Sequence, residues 1–165
     1  LMLGIVAFGF ILYPFARFSV DLPGLSQIKP SEERTIAILD DLLTNVYRSF
    51  DMTNEEAIYD RLAISVDGEQ LTQIYLENRK SMELENRGGA RAKVDKVEIK
   101  QLNSIKRAGK NTFLADVEWL VSGSVNHFGH THYRRNYYHS IVTIVIVDGV
   151  WKIQNIELVE EKRLL

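Results

Sequence analysis

The stretch Trp119–His139, WLVSGSVNHFGHTHYRRNYYH, constrains this chain more than any other. Apolar and polar residues alternate on both sides of Phe128-Gly129, the pattern of two antiparallel strands joined by a tight turn. With Phe128-Gly129 as a two-residue loop, His127 opposes His130, Val125 opposes His132, Gly123 opposes Arg134, Val121 opposes Asn136 and Trp119 opposes Tyr138. Side chains alternate faces along a strand, so this register also assigns faces. One face carries Phe113, Ala115, Val117, Trp119, Val121 and Val125. Across from them stand Val142, Ile144 and Ile146, then Tyr138, Asn136, Arg134, His132 and His130 toward the turn. The face is apolar at one end and polar, basic and aromatic at the other. The opposite face sets Asp116, Glu118, Ser122 and Ser124 against Tyr133, Arg135, Tyr137 and His139 and is expected to be solvated.

Upstream, the chain reads as three helices separated by their own caps. Ser31 is placed to cap a helix whose first turn holds Glu32 and Glu33. Ile36, Leu39, Leu43, Val46 and Phe50 recur at helical spacing along it, and Asp51-Met52 ends it. Thr53 and Glu56 form a capping box for a second helix, with Ile58, Leu62 and Ile64 facing inward. Asp67 and Gln70 open a third by the same logic, burying Leu71, Ile74, Tyr75 and Met82, and Gly88-Gly89 stops it. Beyond Gly89 the period changes from about 3.6 to about 2. A strand is expected over residues 92–102 with Val94, Val97 and Ile99, a loop over 104–111, the hairpin strands over 112–126 and 131–147, a turn at Asp148-Gly149 and a last strand over 150–159. The charged tail EEKRLL is expected to fray.

The N-terminal sixteen residues, LMLGIVAFGFILYPFA, carry no charge. A bilayer span takes about twenty apolar residues. Residues 1–18 are expected to be part of a transmembrane anchor, with a signal peptide or a buried helix as the alternatives, and 19–30, with Pro23, Gly24 and Pro30, a linker to a domain over 31–160 followed by a tail over 161–165. Arg17 is the only nearby positive charge, so the side of the membrane is weakly determined. The net charge of −2 removes the electrostatic case for nucleic acid. The absence of cysteine removes disulfides, thiolate metal sites and cysteine nucleophiles.

Three helices followed by four antiparallel strands, with the Phe113–Trp119, Asp148-Gly149 and Trp151-Lys152-Ile153 segments, resemble the NTF2-like (cystatin-like) α+β cone over residues 31–160. The resemblance implies a curved four-stranded sheet wrapped on the first helix, with a pocket between sheet and helices. It also implies a choice among small-molecule isomerases or dehydratases, non-enzymatic binding domains and membrane-tethered assembly domains of the VirB8-like type. The enzymes of that family use an Asp–His or Asp–Tyr pair in the pocket. Here Asp116 and Glu118 are assigned to the solvated face, and Asp60 is expected to be an exposed helix carboxylate.

Two site readings follow from the hairpin. His130 and His132 point to one face and His127 opposes them, an arrangement able to hold zinc or copper through three imidazoles. Alternatively these histidines serve a polar tip that contacts a partner. Trp119, Arg134, Asn136 and Tyr138 continue the same face as a pocket mouth suited to an anion or a peptide carboxylate. Tyr133, Arg135, Tyr137 and His139 make up a second, outer patch of the composition that interfaces favour. The expectation is an extracytoplasmic, membrane-anchored, non-enzymatic subunit that binds neighbouring subunits of a membrane complex. The alternative is a copper- or zinc-binding accessory or hydrolytic domain.

Overall fold

The computed structural model describes residues 29–87, 89, 91–127 and 130–164, leaving aside the side chains of Arg91 and His127. The expected membrane anchor, most of the linker, Gly88 and the Phe128-Gly129 turn lie outside these residues. Three helices and four strands run in the expected order: α1 (Glu32–Arg48), α2 (Glu55–Ser65), α3 (Gly68–Asn86), β1 (Arg91–Arg107), β2 (Thr112–His127), β3 (His130–Val147) and β4 (Val150–Arg163). Among the described residues no helix is long and apolar enough to cross a membrane.

Ser31 caps α1, its Oγ accepting from the Arg34 N–H at 3.2 Å. The buried stripe of α1 is Thr35, Leu39, Leu42, Leu43 and Val46. Ile36, expected on that stripe, is 38% exposed. The stripe is rotated by one residue at its start because Thr35 satisfies its hydroxyl on the Ser31 carbonyl at 2.8 Å and can be buried. The second helix starts one residue later than the Thr53 capping box implies. Asn54 is its cap and accepts from the Ala57 N–H at 2.9 Å. Ile64, expected inside, is 61% exposed on the outer side of α2. Asp67 stands at the N-cap of α3 without a side-chain cap bond. Its backbone N–H instead donates to the Ile153 carbonyl at 2.9 Å, and Gln70 Oε1 accepts from the Ile156 N–H at 3.1 Å. The supposed capping pair thus pins the α2–α3 junction to the edge of β4. The α3 helix ends at Asn86, and the Gly89 N–H returns to the Leu84 carbonyl.

The sheet is a simple antiparallel meander, β1-β2-β3-β4. Its central pair runs without a register break from Thr112↔Val145 to His127↔His130, as the alternation requires. The edge strands differ. In β1 the inward residues Val94, Val97, Ile99, Leu102 and Ile105 are spaced three, two, three and three apart, and each spacing of three coincides with a register shift. Each shift is a β-bulge, one extra residue that bends the strand and increases its twist. Bulges explain why β1 runs to Arg107 rather than 102, turning half of the expected 104–111 loop into strand: a strict period of two loses phase at each one. Two further shifts in the β3–β4 pairing have the same origin. There the charged tail is not frayed. Glu160–Arg163 pair with His139–Asn136, because a backbone ladder at an edge accepts charged side chains that face water. Asp148 and Gly149, at φ 50° and 79°, make the β3–β4 turn with the two positive φ values of a primed type.

The helices pack on the concave face near the β3–β4 turn. Leu39, Leu43, Ile58, Leu62 and Val66 meet Phe113, Ala115, Val117, Trp119, Val142, Ile144 and Ile153 in one core. Phe113, Val117, Val142, Ile144 and Ile153 are fully buried. One polar pair sits inside: Asn78 Nδ2 donates to Ser49 Oγ at 2.8 Å, which donates to the Val46 carbonyl at 2.6 Å. That closed network ties α3 to the end of α1 without leaving those groups unpaired.

Candidate functional site

Helical cover ends at the Trp119–Tyr138 pair. These rings stack at 5.5 Å between centroids and 23° between planes. The Trp119 indole N–H donates to Tyr47 Oη of α1 at 3.2 Å, which ties the sheet to the end of the helix. Burial raises the Tyr47 hydroxyl well above the ordinary tyrosine range. Tyr138 is also raised, first by burial. The Tyr138 oxygen accepts from Asn136 Nδ2 at 3.1 Å. Among the described residues Asn136 Oδ1 is buried without a partner, as is Ser140 Oγ further down the same face.

Toward the tip, a cleft of about 240 Å³ opens between the end of α1 and the sheet. Tyr47, Phe50, Val94, Val121, Val125 and Tyr138 supply its walls, and Arg134 and Asn136 its polar side. Gly123 forms part of the floor. A Cβ there would come within 2.3 Å of the Lys93 carbonyl oxygen, so the close approach of β1 and β2 at this point requires glycine. A second cavity of about 350 Å³ shares Tyr47, Phe50 and Tyr138 and extends past Trp119 and Ser140 to α3 and β4. The expected pocket mouth of Trp119, Arg134, Asn136 and Tyr138 is thus gathered by the fold on one concave surface, Trp119 lining the second cavity.

Beyond the cleft the hairpin projects uncovered. His130, His132 and Arg134 are exposed, and Tyr133, on the other face, is 74% exposed. The backbone register does oppose His127 and His130 and places His132 two residues along. Among the described residues no group of three or more His, Asp or Glu comes together to hold a metal ion, and the His127 side chain lies outside them.

The outer patch contains a network that the sequence reading did not assemble. His139 Nε2 lies 2.7 Å from Asp116 Oδ1. Asn103 Nδ2 donates to that same oxygen at 3.1 Å and to Glu118 Oε1 at 3.0 Å. The His139 contact, then Asn103, hold the Asp116 carboxyl below its usual range. Asn103 and then Tyr137 lower Glu118. Lys162 Nζ stands 5.7 Å from the Tyr137 ring centroid and 2.8 Å from Glu160. Arg135 is half-buried, with its Nε unpaired among the described residues. An Asp–His pair therefore exists, but on the outer face of the sheet, away from the concave cleft. The signal was available: Glu118 directly opposes His139, so Asp116 is its diagonal neighbour, within reach of a long side chain. Asp60, the other acid considered, is exposed on α2.

The fold is similar to the crystal structure of the intermembrane space region of the chloroplast protein ARC6. That match has a TM-score of 0.53 at 14% sequence identity and covers 82% of this chain and 98% of that one. A de novo designed β-sheet protein is similar with a TM-score of 0.40 at 14% identity, over 79% of this chain and 91% of that one. No protein-family model and no curated protein matches the chain. At such identity the ARC6 likeness shows a shared α+β fold and nothing about activity.

Proposed function

We propose that this chain is a non-enzymatic accessory subunit of a membrane complex, an NTF2-like domain held at the extracytoplasmic face by its apolar N-terminal stretch. It docks neighbouring subunits through the projecting hairpin. The observation that carries the reading is the tip itself. Four consecutive tip residues, Thr131, His132, Tyr133 and Arg134, are exposed on a ladder that continues unbroken from the core. Exposed Tyr and Arg on a rigid element have the composition and the low ordering cost of an interface anchor. The uncharged N-terminal sixteen residues support the membrane part of the reading, and the neighbour's placement in an intermembrane space supports the side. The test is the native mass of the full chain extracted from its own membrane in mild detergent. A complex larger than one chain is expected, reduced to the single chain by Tyr133→Ala combined with Arg134→Glu. A wild-type chain that extracts as a stable monomer overturns the reading.

A second reading, copper or zinc held by His127, His130 and His132, is favoured by the backbone register that opposes the first two. Metal analysis after reconstitution near neutral pH, where imidazole is free to ligate, decides it. Below about a tenth of a metal ion per chain, the reading fails.

A further inference from the structure

The concave cleft beside the tip has a chemistry of its own and shares only Arg134 with the docking tip proposed above. Its walls are apolar and aromatic, and none of its lining residues is an acid. Arg134 stands at its open end, exposed, and its guanidinium makes no hydrogen bond or ion pair among the described residues. A guanidinium presents two parallel N–H donors that match a carboxylate. Tyr47, Phe50 and Val121 continue inward from that point as a surface on which a short apolar chain can be buried. The volume of about 240 Å³ suits a compact ligand. Apolar walls with a few placed polar groups are the usual make-up of a small-molecule site.

We propose that this cleft binds a small amphipathic carboxylate, its head on Arg134 and its short apolar tail between Tyr47, Phe50 and Val121. Gly123 keeps the floor open, since no side chain can stand there against the Lys93 carbonyl. Trp119 is a built-in reporter, because it stacks on Tyr138, a wall of the cleft.

The experiment titrates the full chain, held in lipid nanodiscs, with hexanoate carrying a carbon-13 carboxyl. Hexanol and hexylamine serve as comparison probes and empty nanodiscs as the blank. Saturable binding of hexanoate is expected, with a shifted carboxyl resonance and a change in Trp119 fluorescence. Arg134→Lys should weaken it about tenfold, the effect of losing one charge-assisted hydrogen bond. Val121→Trp should fill the cleft and abolish binding while the tip-mediated complex persists. Three results overturn the proposal: hexanol binding as tightly as hexanoate, Arg134→Lys binding unchanged, or a signal no larger than that of empty nanodiscs. Arg134→Lys lies on the surface and keeps the test decisive even where Val121→Trp does not fold. Loss of the tip-mediated complex with hexanoate binding intact would sink the docking reading alone.

Discussion

The two halves of the central hairpin share one ladder and one alternation, yet they live in different solvents. From Phe113 to Trp119 the inward side chains of β2 are buried, and opposite them Ser140, Val142 and Ile144 are fully buried. From Arg134 to His130 the same face of β3 is exposed. No register break separates the halves. Backbone hydrogen bonds therefore carry the strands well past the point where helices cover them. A hairpin without a covered face is marginal by itself, so the tip borrows its order from the base. That division leaves the base to supply stability and the tip to supply contact.

The largest expected effect lies at the base. Phe113→Ala should cost about 3–5 kcal/mol, the range for deleting a buried aromatic ring, whereas Val125→Ala near the tip should cost under about 1 kcal/mol. Denaturant melts of both variants check this, and similar costs would break the comparison. Next is a place in the upper half where the β1 and β2 backbones approach closely. Gly123→Ala should destabilise by about 1–3 kcal/mol, because the new Cβ has to push the Lys93 carbonyl away. Hydrogen exchange should speed up across the upper β1–β2 ladder while the base stays protected.

A smaller effect is expected on the outer face. The Asp116 carboxyl is lowered by His139 and Asn103, so it contributes stability above its unfolded value. That contribution is lost as pH falls through the lowered folded value. About a third of the side chain is exposed and water screens the pair, so it amounts to about 0.5 kcal/mol. The stability gap between wild type and Asp116→Asn should be present above about pH 5 and close in strong acid. A gap that widens on acidification would contradict the pairing. Smallest of all, Tyr133→Ala should leave stability within about 0.5 kcal/mol while removing most of the tip's partner binding. Melts and native mass on one preparation would show the two apart.

Much of this was legible in the residues, and the failures share a cause. The hairpin register, the Asp148-Gly149 turn and the Ser31 cap depend on a few neighbouring residues, and they stand where the alternation and cap chemistry place them. The misread features all answer to distant partners. Asp67 and Gln70 look like a local capping pair but bond to β4 instead. Thr35 displaces Ile36 from the buried stripe because its hydroxyl finds an acceptor one turn back. The five residues by which β1 extends past 102 were hidden by bulges, although the three-residue spacings of Val94, Val97, Ile99, Leu102 and Ile105 record them.

The sequence by itself determined which side chains share a face, since alternation and turn length leave one register that keeps the apolar set together. From that followed the meander, the core at the base and the set of polar residues near the tip. Only the tertiary structure decided how far along that face the helices reach. Cover ends at Trp119 and Tyr138 because the end of α1 meets the sheet there through Tyr47. The tertiary structure also decided that the Asp–His pair lies outside and the cleft lies inside. Coverage is a long-range property of how helices seat on a bulged, curved sheet, and no local pattern of residues encodes where it stops.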